Sequence, residues 1–270
     1  MYLDYYGLKE FPFNITPDPR YLFMSRHHRD AFDHLLYGIS SRKGFIELTG
    51  EVGSGKTTLC RAVMSQLGCR VRTALVLNPY LTETQLLRAI LQDFGLKPAA
   101  RDKLAHMNQL NAFLLEQNQN GINVALIVDE AQNLSLELLE RIRLLSNLET
   151  DQHKLLQIVL SGQPELRDVL NQPQLRQLRQ RILVRFHLPP LDLEDSALYI
   201  NHRLKTAGAE ERVCFEPEAI RLIFEHSGGV PRLINALSDH ALLAGYVLKT
   251  MRIDSGCATR AIRQLEGALS

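Results

Sequence analysis

The chain has 270 residues, 45% of them hydrophobic and 23% charged, enough for one large domain or a core with a smaller companion. A formal net charge of +1 gives no bulk attraction to nucleic acid or anionic lipid, although a local basic face stays open. No run of about 18 apolar residues spans a bilayer, the start "MYLDYYGLKE" is not a secretory signal, and the four cysteines lack C-x-x-C spacing, so reduced, mostly buried thiols in a cytoplasmic protein are expected.

Residues 1–25 are rich in aromatics and prolines. Pro12, Pro17 and Pro19 forbid a long helix, while Phe11, Phe13, Tyr21, Leu22 and Phe23 can pack on a core edge. The segment reads as a structured arm or as one wall of a base pocket. A helix follows over 27–42, then a buried strand in "GFIELTG" and a helix over 56–67. A second strand is predicted over 71–78. Thr82 and Gln85 make a capping box for a helix ending near Phe94. Another helix over 103–118 sets Leu104, Met107, Leu110, Leu114 and Leu115 on one face. "NVALIVDE" is a third strand, apolar throughout, as a strand covered on both faces must be. A helix starts near Ser135, and strands follow over 155–162 and 182–188. Strands alternating with helices predict a parallel sheet with helices on both sides. After Pro189 and Pro190 only helices are predicted, over 192–206, 217–226, 231–249 and 255–267. The expected division is a nucleotide-binding core with its N-terminal arm over 1–190 and a helical domain over 191–270.

"GEVGSGKTT" (50–58) satisfies G-x-x-x-x-G-K-[ST] with Gly50, Gly55, Lys56 and Thr57. Glycines let the backbone curl its N–H groups toward phosphate oxygens, so Gly50, Glu51, Val52, Gly53, Ser54, Gly55, Lys56, Thr57 and Thr58 form the candidate nucleotide loop. Lys56 can reach the β- and γ-phosphates, and the Thr57 hydroxyl can ligate Mg²⁺. "LIVDEAQ" ends a buried strand in two acids. Asp129 is assigned to the metal and Glu130 to the attacking water. At the end of the fourth strand Ser161 or Gln163 can sense the γ-phosphate, with Gln163 preferred, although Gly162 and Pro164 also suit a plain turn. Before the fifth strand stand Arg176, Arg179 and Arg181. At a subunit edge, Arg181 first or Arg176 second can complete a neighbour's site, since a guanidinium bridges phosphate oxygens bidentately. Arg232, in "GGVPRLINAL", opens a helix from which it can reach the γ-phosphate. No N-K-x-D guanine motif is evident, which favours ATP over GTP.

Taken together, these residues resemble an AAA+ ATPase. The resemblance implies an αβα core with a five-stranded parallel sheet in the order 5-1-4-3-2, a helical lid, and a homo-oligomeric ring or filament. "YGLKEFPFNITPDPRYLFMS", "GEVGSGKTT", "DEAQNLS", "LLSNLETD", "SGQPELRDVL" and "GGVPRLIN" are similar to the ATPase domain of the general secretion pathway A (ExeA-like) family. That implies Mg²⁺-dependent ATP hydrolysis that drives or times assembly of a secretion or envelope apparatus with its protein partners. Members of that type join this domain to a membrane span, which the 270 residues lack, so no direct membrane insertion by this chain is expected. Similar ATPases accompany transposases, and an ATP-dependent DNA-binding regulator is the alternative.

Overall fold

A computed structural model describes residues 2–14, 18–77, 81–98, 102–149, 154–209 and 212–267. In chain order they form α1 (Tyr2–Tyr6), α2 (Arg26–Ser40), β1 (Phe45–Gly50), α3 (Lys56–Leu67), β2 (Val71–Val76) and α4 (Glu83–Asp93). Next come α5 (Lys103–Gln119), β3 (Asn123–Val128), α6 (Leu136–Leu145), β4 (Gln157–Gly162), α7 (Glu165–Leu170), α8 (Arg176–Arg181) and β5 (Ile182–Leu188). The C-terminal elements are α9 (Leu193–Thr206), β6 (Cys214–Phe215), α10 (Pro217–Ser227), α11 (Pro231–Leu248), β7 (Arg252–Ile253) and α12 (Ser255–Gly267). Among the described residues no helix is long and apolar enough to cross a membrane. Pro17 and the expected strand end at Asn78 lie outside the described residues.

Two compact units emerge. The first, His27–Gly50 with Leu59–Leu188, is built on a five-stranded parallel sheet in the order β2-β3-β4-β1-β5. Every residue of β1, β3 and β4 is buried, which explains the apolar run of β3 after Asn123 and the mainly apolar β1 and β4, where Glu47, Thr49, Gln157 and Ser161 are the polar exceptions. The strand period of two divides the side chains between two cores. Val124, Leu126 and Val128 join Ile158 and Leu160 against α4–α8, whereas Ala125 and Ile127 join Ile46, Leu48 and Val159 against α2 and α3. The Thr82–Gln85 capping box is present, and Ser135 caps α6 by accepting from the Leu138 N–H. The face of α5 differs from the expected one: it buries His106, Leu110, Phe113, Leu114 and Gln117, while Leu104 and Leu115 are exposed. The covered stripe runs through Phe113, one position before Leu114, and so turns away from Leu104.

The second unit gathers Met1–Arg26, Glu51–Thr58 and Pro189–Ser270. Its core joins Tyr2, Tyr6, Phe13 and Tyr21 to Ile200, Ile223, Ile234, Leu242 and Ile262. The arm expected with residues 1–190 therefore groups with the helices. The reason lies in its polar tips as much as in its rings. Tyr6 is fully buried and its hydroxyl donates to the Leu242 carbonyl at 3.0 Å, and the Tyr2 hydroxyl donates to the Asp239 carboxylate. The buried Arg203 guanidinium donates to the carbonyls of Pro12 and Asn14, the latter at 2.8 Å. Phe11 stays exposed. The short parallel pair β6–β7 was not anticipated, because two residues carry no periodicity. Of the cysteines, Cys60 and Cys257 are buried and Cys69 and Cys214 exposed, so the expected burial holds for half of them.

Candidate functional site

The candidate nucleotide loop leaves the C-terminal end of β1 and runs into α3, which starts at Lys56. Gly53 and Gly55 take φ of +80° and +98°, a region that side-chain-bearing residues rarely adopt. The Ser54 N–H donates to the Glu51 carbonyl at 3.1 Å, and the buried Lys56 Nζ donates to the same carbonyl at 2.9 Å. Glu51 and Val52 are exposed; Gly53, Gly55, Thr57 and Thr58 are half-buried.

Arg232 meets this loop. It is the second residue of α11, whose first turn opens on Pro231, and its backbone N–H donates to the Gly53 carbonyl at 3.3 Å. A Cβ on Gly53 would lie 2.4 Å from the Arg232 Cβ, so glycine is required on contact grounds as well as by its φ. The "GGVPR" segment is fixed by Gly229, at φ +74°, whose carbonyl accepts from Leu191 N–H at 2.9 Å; a Cβ there would sit 1.9 Å from the Leu191 carbonyl oxygen.

The acidic pair follows β3. Asp129 is 2% exposed. Its Oδ1 accepts from the Ser161 hydroxyl at 2.7 Å and from the Glu130 N–H at 3.1 Å. Glu130 adopts φ 53°, ψ 36°, left-handed for a residue with a side chain, the kind of local strain that clusters at functional positions. One of its carboxylate oxygens accepts from Gln132 Nε2 at 2.7 Å and from Gln163 Nε2 at 3.1 Å. Gln132 Oε1 in turn accepts from the Gln163 backbone N–H at 3.1 Å, closing a ring of three residues. Gly162 permits the closure, since a Cβ there would approach Gln132 Oε1 to 2.7 Å. Both residues weighed at the end of β4 thus hold an acid, Ser161 the aspartate and Gln163 the glutamate. Strand order accounts for it: β4 lies beside β3, with Val128 opposite Leu160. Gln132 was missed. Its signal was its place two residues after Glu130, in the 3₁₀ turn Ala131–Asn133.

The arginines differ in setting. Arg181 Nη1 donates to Ser146 Oγ at 2.7 Å, to Asn147 Oδ1 at 2.6 Å and to the Arg143 carbonyl at 3.4 Å, all at the C-terminal end of α6. Arg176 is exposed at the start of α8. Positive-φ glycines before a helix start and a lysine suit a triphosphate, and the Thr57 hydroxyl is a hard oxygen of the kind Mg²⁺ prefers; the Asp129 carboxylate, in the sheet unit, is chemically of the same kind.

A five-stranded parallel sheet in this order, a phosphate-type loop after β1 and an acidic pair after β3 give the chain the fold of an AAA+ P-loop NTPase. Residues 39–170 match the family described as the AAA domain. Over 269 residues the chain is 45% identical to general secretion pathway protein A of Aeromonas hydrophila. That match covers 99% of this chain and 49% of the relative, so the chain spans about half of that protein's length. Among solved structures, the ORC2 protein of Aeropyrum pernix, determined with ADPNP and ADP, superposes with a TM-score of 0.70 at 18% identity over 94% of this chain and 71% of that one. The RuvB Holliday junction branch migration motor of Thermotoga maritima gives 0.58 at 20% identity over 88% and 69%. These likenesses establish the fold.

Proposed function

We propose that the chain binds ATP with Mg²⁺ and hydrolyses it to ADP and phosphate. The observation that carries this reading is the Glu130 carboxylate, held from two sides by Gln132 and Gln163 beside the buried Asp129. Loop residues 50–58 bind the phosphates and Lys56 neutralises charge on them. Thr57 and Asp129 would hold the cation, which would supply charge stabilisation at the transferred phosphoryl group. Glu130 orients water and accepts its proton. Arg232 takes up the γ-phosphate, a role supported by the seat of its backbone on Gly53.

We further propose that the protein works as a homo-oligomer in which an arginine completes a neighbour's site. The bonds of Arg181 to the end of α6 make Arg176, exposed on the same helix, the better candidate. Hydrolysis then drives or times assembly of a larger apparatus, and the secretion-pathway name of the half-matched Aeromonas relative supports one that serves secretion. The test is phosphate release from Mg-ATP against protein concentration. Turnover per subunit rises with concentration, Lys56→Ala abolishes it, and Arg176→Ala removes the rise. Turnover per subunit independent of concentration would contradict the shared site.

A further inference from the structure

A second charged site lies on the β1–β5 half of the sheet. A cavity of about 250 Å³ is lined by Glu47, Arg167, Leu170, Asn171, Arg179 and Arg185. Glu47 stands in the middle of β1, directly beside Arg185 of β5, and its side chain is only 5% exposed. Arg167 comes from α7 and Arg179 from α8.

Three guanidiniums face one carboxylate, an excess of two positive charges. Glu47 does little to satisfy them. It meets Arg185 Nε at 3.4 Å and Arg167 Nε at 3.5 Å, single long contacts in place of the short paired bonds of an arginine–carboxylate fork. Arg179 donates to Asn171 Oδ1 at 3.2 Å, and Arg185 Nη2 to the Arg179 carbonyl at 2.9 Å. No second carboxylate pairs with Arg167, Arg179 or Arg185 among the described residues. Arg167 and Arg185 are about half exposed, with side-chain exposures of 45% and 48%, so the mouth is open while the carboxylate sits at the floor. Burial pushes the Glu47 carboxyl above its ordinary range even though Arg185 and Arg167 pull it down.

We propose that this cavity is a binding site for a phosphate-type oxyanion, inorganic phosphate or the phosphomonoester of a small metabolite, held by Arg167, Arg179 and Arg185. A tetrahedral dianion matches the charge excess and takes the guanidinium donors that Glu47 leaves over. Glu47 sets the arginines in place and opposes the ligand's charge, so it moderates affinity. The site is separate in residues from the nucleotide loop.

Equilibrium dialysis with labelled inorganic phosphate, at ionic strength fixed with chloride, tests the proposal on the full chain. Lys56→Ala is the background that disables the loop. One saturable site is expected there, weakened about tenfold or more by Arg167→Gln and by Arg185→Gln. Glu47→Gln is expected to bind phosphate several-fold more tightly, an effect that a purely structural glutamate would not produce. Unfolding midpoints confirm that each variant is folded, and Arg179→Gln replaces any that is not. Phenyl phosphate distinguishes the two forms: equal binding identifies an ester site and exclusion a free-ion site. Absence of saturable phosphate binding in the Lys56→Ala background, or unchanged affinity in the arginine variants, would overturn the proposal.

Discussion

Gln163 Nε2 donates to Glu130 Oε2 at 3.1 Å, linking the last turn after β4 to the acid that follows β3. The contact makes Gln163 a positioning residue for the proposed base. Gln163→Ala frees one side of the carboxylate and should lower kcat about tenfold, while nucleotide affinity stays within about twofold. Gln132→Ala should behave alike, and the double variant should add little, because both amides act on one oxygen. Steady-state phosphate release alongside fluorescent-nucleotide titration checks this. A change in affinity with constant kcat would assign Gln163 to phosphate binding instead.

The seat of Arg232 on the loop predicts an unusual double variant. Gly53→Ala adds a methyl 2.4 Å from the Arg232 Cβ and forces alanine into φ +80°, a backbone cost of about 1–2 kcal/mol before the clash is counted. Nucleotide affinity should fall. Arg232→Gly on top removes the clash and leaves the strain, so it should restore part of the thermal stability and none of the γ-phosphate response. Melting curves with ADP and with a non-hydrolysable ATP analogue report both.

Arg203 anchors the N-terminal arm through the Pro12 and Asn14 carbonyls and donates to the Tyr199 hydroxyl at 2.8 Å. Arg203→Ala leaves the buried Pro12 carbonyl and Tyr199 hydroxyl without this donor and should cost about 3 kcal/mol. Limited proteolysis should then open the chain within its first 25 residues before any cut in the sheet unit. A variant with parental stability would show that aromatic packing alone holds the arm.

Glu47 predicts a pH dependence of definite sign. Its folded-state pKa is raised by burial, so between the ordinary glutamate value of about 4.3 and the raised value the folded chain binds more protons than the unfolded one. Stability contributed by this group is therefore present at low pH and is lost as pH rises through that window. Glu47→Gln lacks the loss, and its stability relative to the parent should improve from pH 4 to pH 7. Denaturant unfolding at several pH values checks it; a relative decline would mean that the arginine contacts outweigh burial.

The sheet was legible because β1, β3 and β4 are buried on both faces and are therefore mainly apolar, β3 most completely. Glycines and Lys56 announced the loop, since their spacing is dictated by backbone geometry. The partners of the acids were less visible. Ser161 and Gln163 reach Asp129 and Glu130 only through the pairing of β3 with β4, and Gln132 only through a 3₁₀ turn. The arm's attachment hung on Tyr6 and Arg203, whose partners lie up to 244 residues away. The Glu47 cavity had no local signature, because β1, α7, α8 and β5 each supply part of it.

Glu130→Gln separates nucleotide binding from hydrolysis. The substitution keeps the shape of the side chain and removes its capacity to accept a proton. In Mg-ATP, nucleotide affinity should remain within a few-fold of the parent while phosphate release falls by about a hundredfold or more. Phosphate release at the parental rate would contradict the assignment of Glu130 as the residue that activates water, and with it the proposed hydrolysis mechanism.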